Sequence, residues 1–143
     1  MENATHAEQV LLIPCSGIGK VHGLISREAV YKATDTLGQD RADTVCLALL
    51  VTGDLETRQK VQEQPCITLD GCPKLCAQKN VELSGGKVAQ AVRVYDTLKR
   101  HRGGKFGSAT VLTEEGWGVV DEIAAEVAET VRAAATKSRS CHG

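Results

Sequence analysis

Short apolar runs alternate with helix-period segments along most of this chain, and that alternation leaves few folds open. Val10-Leu11-Leu12-Ile13 is a continuous apolar run of strand length, closed by Pro14. The turn-rich Cys15-Ser16-Gly17-Ile18-Gly19 follows. A helix is predicted from about His22 to Leu37, where Leu24, Ile25, Ala29, Val30, Ala33 and Leu37 form an apolar stripe and Gly38 stands at the C-cap. Residues 44–52 read as a buried strand or a buried helix, and Ala48 with its neighbouring leucines leans them to helix. Asp54 is the predicted N-cap of a short charged helix through Gln62. Pro65–Leu69 reads as the next strand, ended by Asp70-Gly71. Pro73 is placed as the first residue of a helix to about Ser84, since its fixed φ suits that position. Val88–Tyr95 is a further strand candidate, and residues 99–107 form a basic, glycine-rich loop. Thr113 is the predicted cap of a last helix, with Trp117, Val120, Ile123, Ala124, Val127 and Val131 along its apolar face. The expected fold is a single α/β domain over residues 8–136, three-layered, with a short, mostly parallel sheet flanked by helices. Residues 1–7 and 137–143 are expected to be flexible termini.

Charge and aromatic content exclude several functions. The 17 basic and 18 acidic residues nearly cancel, so no broad electrostatic footprint for nucleic acid exists. Tyr31, Tyr95, Phe106 and Trp117 are the only aromatic side chains, too few for a base-stacking platform. The basic cluster from Lys99 to Lys105 reads as a solvated loop. No apolar run approaches the ~20 residues of a membrane span, and the first nine residues lack the basic start of a signal peptide. A cytoplasmic location is therefore expected, with no membrane and no nucleic-acid partner; no protein partner is indicated. Thiols stay reduced in that compartment, so the six cysteines read as metal ligands or redox groups before they read as disulfides.

Two cysteines share one design. Ile13-Pro14-Cys15-Ser16-Gly17 and Leu69-Asp70-Gly71-Cys72-Pro73 each end a strand, turn through a cysteine and glycine, and enter a helix. In a parallel sheet both strand ends lie on one edge, where ligand sites form. With Cys72 near a helix N-cap, Cys72 and Cys76 are expected on one helical face, one turn apart. Two zinc-bound sulfurs sit roughly 3.8 Å from each other, which such a pair can reach. A helix start also favours the thiolate that metals bind. Cys15, Cys72 and Cys76 thus make three candidate ligands. For the fourth, Cys46 is the first choice, Cys66 the competitor and His22 the third candidate. A straight strand at ~3.3 Å per residue carries Cys66 away from the strand's end, where it packs as a small apolar side chain. Asp70 reads as a carboxylate that holds the loop or supports the ligands, or as half of a turn-forming Asp-Gly pair.

The string Ile67-Thr68-Leu69-Asp70-Gly71-Cys72-Pro73-Lys74-Leu75-Cys76-Ala77 resembles the central motif of the DGC-domain family, named for its Asp-Gly-Cys. Pro14-Cys15-Ser16-Gly17, Cys46 before Leu47-Ala48, and Thr52-Gly53-Asp54 agree with it, from about Leu11 to Asp96. The resemblance implies zinc binding by four chelating cysteines, which fall on Cys15, Cys46, Cys72 and Cys76, with no established reaction. Cys66 and Cys141 look like additions, and Cys66 stands as a further ligand or redox thiol. Asp70, Gly71 and Ser16 would support the loops.

Other loop chemistries fail on single residues. A cysteine-phosphatase loop needs arginine where the chain has Val21. A Walker loop needs glycine at Pro14 and a hydroxyl at Val21, and the dinucleotide pattern fails at His22. Four protein ligands would close a zinc ion's coordination and leave no place for a substrate water, so the metal reads as structural or sensory and hydrolysis is disfavoured. Two rival readings stand beside it. One is a thiol redox protein, in which Cys72 attacks and Cys76, Cys66 or Cys15 resolves. The other is a soft-metal trafficking or detoxification protein, with Cys141-His142 as first contact for the ion.

Overall fold

The computed structural model describes residues 9–15 and 17–142, with side chains through residue 134. Ser16, residues 1–7 and the side chains of Cys141 and His142 lie outside the described residues. The first apolar run forms β1 (Val10–Pro14), which pairs in parallel with β3 (Pro65–Asp70), from Leu11 against Cys66 to Pro14 against Leu69. The two-residue β2 (Ala42–Asp43) lies on the other side of β1, and β4 (Lys87–Arg93) lies outside β3. The described strands of this sheet all pair in parallel, in the order β2-β1-β3-β4.

Helices cover both faces, which is why β1 and β3 read as unbroken apolar runs. One face carries α1 (Val21–Leu37), α5 (Val94–Lys99) and α6 (Glu114–His142), packed on Val10, Leu12, Ile67 and Leu69. The opposite face carries α2 (Leu47–Thr52), α3 (Leu55–Glu63) and α4 (Cys76–Leu83), packed on Leu11, Ile13 and Cys66. The alternation of β1 side chains between these two cores is the period of a strand. Local signals act as expected in two places. The Asp54 carboxylate accepts the Thr57 N–H at 3.0 Å and starts α3, and the Thr113 hydroxyl accepts the Gly116 N–H at 3.1 Å and starts α6.

The lean of residues 44–52 to helix agrees with α2 over Leu47–Thr52: Cys46 is its N-cap, and Leu47 and Leu50 pack into the core. Three expectations are corrected. The predicted strand over Val88–Tyr95 stops at Arg93, because Val94 and Leu98, one helical turn apart, pack into the core as α5. Pro73 does not begin a helix; α4 begins at Cys76, because Leu75 takes a left-handed conformation with φ 55°. Trp117 is 45% exposed, since the buried stripe of α6 runs through Gly116, Val120, Ile123 and Val127 and leaves it at the edge. Among the described residues, no helix is long and apolar enough to cross a membrane.

The strand order reverses between β1 and β3. From β1 the chain crosses to β2 on one side, and β3 and β4 build outward on the other. Loops leaving β1 and β3 therefore diverge, and a crevice opens between them at the carboxyl ends of the strands.

Candidate functional site

Cys15 stands at that crevice. Its N–H donates to the Leu69 carbonyl at 2.9 Å, extending the β1–β3 ladder by one residue. Its sulfur accepts the Gly71 N–H at 3.2 Å, so the two cysteine loops are joined directly. The Cys15 thiol also donates to the Ser26 hydroxyl at 3.8 Å, and that hydroxyl donates to the His22 carbonyl at 3.0 Å. Burial pushes the Cys15 thiol above its ordinary pKa, and the bonds from Gly71 and Ser26 offset part of that rise.

Three glycines let the backbones meet. Gly17 has φ +29°, and a Cβ on Gly23 would collide with the Gly17 carbonyl and Cα. A Cβ on Gly71 would lie within 3.0 Å of the His22 backbone and Cβ. Cys72 follows, half-buried, and lines a cavity of about 280 Å³ with Cys15, Gly19, Lys20 and His22. His22 is also half-buried; burial, with Lys20 beside it, holds its imidazole below the usual pKa. The His22 Nδ1 atom is buried and has no hydrogen-bond partner among the described residues.

Asp70 shapes the second loop. Its carboxyl is 1% exposed and accepts the Ala77 N–H at 2.8 Å and the Gln78 N–H at 3.1 Å. It therefore caps α4 from the end of β3, satisfying two amides that the helix itself cannot. Burial raises its pKa, against the lowering effect of those two N–H bonds and Lys79.

The remaining cysteines are placed differently. Because α4 begins at Cys76, no common helical face joins Cys72 and Cys76, and the expected one-turn pair is absent. Cys76 is exposed as the first residue of α4. Cys46 is exposed at the start of α2, which packs against α4, and it lines a second cavity with Cys15, Arg27 and Tyr31. Cys66 is fully buried at the amino end of β3, and its thiol donates to the Gln64 carbonyl at 3.4 Å. Burial pushes the Cys66 thiol up to about 11. The structure thus gathers Cys15, Gly71, Cys72 and His22, sets Cys46 and Cys76 at the mouths of neighbouring helices, and keeps Cys66 at the far end of its strand. As they stand, no three histidine, cysteine, aspartate or glutamate side chains among the described residues are grouped to hold a metal ion.

A serine within the apolar stripe between Ile25 and Ala29 is the sequence signal for Ser26, and Gly23, next to the failed dinucleotide pattern, acquires its role only from the close approach of Gly17.

A family model described as DGC domain matches residues 11–123. No curated protein and no solved structure matches the chain.

Proposed function

The chain belongs to the DGC-domain family, and from that premise we propose that it binds one zinc ion at the carboxyl edge of its sheet. The thiolates are drawn from Cys15, Cys46, Cys72 and Cys76, with Cys15 and Cys72 as the central pair. The observation that carries this reading is the shared cavity: two cysteines from separate loops line one crevice, and the Gly71 N–H ties the first sulfur to the second loop.

The chemistry of the donors supports it. Thiolate sulfur suits zinc, and the His22 imidazole lines the same cavity. When bound, zinc supplies a cross-link between the two loops and positive charge against the thiolates. Cys15 anchors the set from its buried position. Cys72 reaches the cavity from the loop that Asp70 holds in place. Cys46 and Cys76 are exposed at helix starts and turn inward to join it. A full set of protein ligands leaves no place for a substrate water, so the role is structural or sensory. Metal binding then stabilises the folded chain.

The test is metal content per chain after anaerobic purification, with reactive thiols counted before and after chelation. One zinc per chain, with further thiols unmasked by chelator, is expected. Cys72→Ser is expected to abolish stoichiometric zinc, while Cys66→Ser and Cys141→Ser keep it. Equal loss in Cys66→Ser and Cys72→Ser overturns the assignment. The shared cavity of Cys15 and Cys72 also favours a second reading, a thiol redox pair. Metal-free protein with a reversible Cys15–Cys72 disulfide is its signature.

A further inference from the structure

The strand β4 lies at the edge of the sheet. It pairs with β3 on one side, and no described strand lies against its other side. No backbone hydrogen bond of Lys87–Arg93 outside the β3 ladder is found among the described residues. In a parallel ladder every second residue turns its N–H and C=O away from the neighbour, so this edge keeps a row of unspent donors and acceptors. A groove of about 440 Å³ runs beside it. Four consecutive residues line it, Gln90 through Arg93, with Asp96 and Thr97 of α5, Arg100 just beyond that helix and Glu126 of α6. A bulge shapes this edge. Val88 stands beside Cys66 and Gln90 beside Ile67, so one extra residue, Ala89, enters β4. Val88 packs toward the core under α2–α4, whereas Ile67 belongs to the core under α1 and α6. The bulge thus turns Gln90 onto the α6 side, where the groove lies. There its Oε1 is buried and has no hydrogen-bond partner among the described residues.

We propose that the free edge of β4 takes up an extended peptide segment of a partner protein as a further strand, and that this segment is acidic at both ends. Charge decides the chemistry. Lys87 and Arg93 stand at the two ends of β4, both exposed, and neither has an ion-pair partner among the described residues. The charges within the groove are already matched: Arg100 lies 3.3 Å from Glu126, and Asp96 lies 3.8 Å from Lys99. Carboxylates at the ends of an incoming strand therefore meet the two unmatched cations. Between them, a hydroxyl on the α6 side supplies the donor that Gln90 Oε1 lacks. The same charges disfavour a second copy of this chain as the occupant. Two β4 strands laid antiparallel in full overlap bring Lys87 of each against Arg93 of the other, and like charges placed opposite destabilise a pair.

The experiment is NMR shift mapping and amide exchange on the isotope-labelled full chain. The probes are the capped peptide Glu-Thr-Val-Thr-Val-Thr-Glu and its counterpart with lysine at both ends. The acidic peptide is expected to shift and slow the amides of Lys87–Arg93, and to bind at least about fivefold more tightly than the lysine peptide. The double variant Lys87→Glu with Arg93→Glu changes two exposed side chains and is expected to reverse that ranking. Unchanged β4 amides with the acidic peptide at millimolar concentration overturn the proposal, and so does equal affinity for the two peptides. Protection of β4 that grows with protein concentration in the absence of peptide assigns the edge to a second copy and overturns it as well. Each of these outcomes leaves the zinc reading untouched.

Discussion

The loop after β1 and the loop after β3 carry the two central cysteines, yet they are held by different means. The first passes into α1 through backbone packing: Gly17 lies against Gly23, and no side chain would fit between them. Its helix has no side-chain cap; the Lys20 carbonyl simply accepts the first helical amides. The second loop is held by a side chain. The buried Asp70 carboxylate reaches past the turn at Pro73 and caps α4, while Leu75 takes a left-handed backbone to let the chain arrive there. One cysteine loop is thus held by the absence of atoms, the other by a single buried carboxyl group.

Gly23→Ala attacks the first loop where it has least room. The new methyl meets backbone rather than a flexible side chain, and destabilisation of about 3 kcal/mol or more is expected, read as a lowered urea midpoint. A loss below about 1 kcal/mol would show that the loop can yield.

Asp70→Ala attacks the second loop and leaves two amides of α4 unsatisfied. About 2 kcal/mol of stability should be lost. Hydrogen exchange at Ala77 and Gln78 should accelerate ahead of exchange in α1; uniform acceleration would mean that Asp70 does not act locally.

Leu75→Gly removes the left-handed strain at the expense of a partly buried side chain, and a net gain of roughly 0.5–1 kcal/mol is expected in thermal unfolding. Destabilisation would place the importance of Leu75 in its packing.

The smallest effect concerns Asp54, which caps α3 from the adjacent position and offers a local counterpart to Asp70. Its bonds from Thr57 hold the carboxyl below the usual value of 3.8. A depressed folded-state pKa gives stability above the unfolded value, lost as pH falls through the folded one. The unmodified protein should therefore lose stability more steeply than Asp54→Asn below about pH 4; parallel acid profiles would remove Asp54 as a contributor.

Much of this was legible residue by residue. Leu11 through Ile13, apolar without interruption and closed by Pro14, read as a buried strand, which β1 is. Asp54 and Thr113 each sit next to the helix they start, so their capping is a local property. The apolar stripe from Ile25 to Ala33 reports one buried helical face. Cys72 and Cys76 misled because spacing assumes a continuous helix, and nothing in Pro73-Lys74-Leu75 announces a left-handed leucine. That conformation persists because Asp70, from another element, holds α4 where it begins. Trp117 misled because periodicity finds the apolar face without finding how far the neighbouring helix covers it.

By itself, the amino-acid sequence determined the strands β1 and β3, the helix that follows β1, the local caps Asp54 and Thr113 and membership of the DGC-domain family. Local backbone preference and periodic burial are written in neighbouring residues, so they can be read there. Only the tertiary structure decided that β1 lies beside β3 with the strand order reversing between them, which brings Cys15 against Gly71. Strand order is chosen by packing between distant segments, and no stretch of chain carries its neighbour's address.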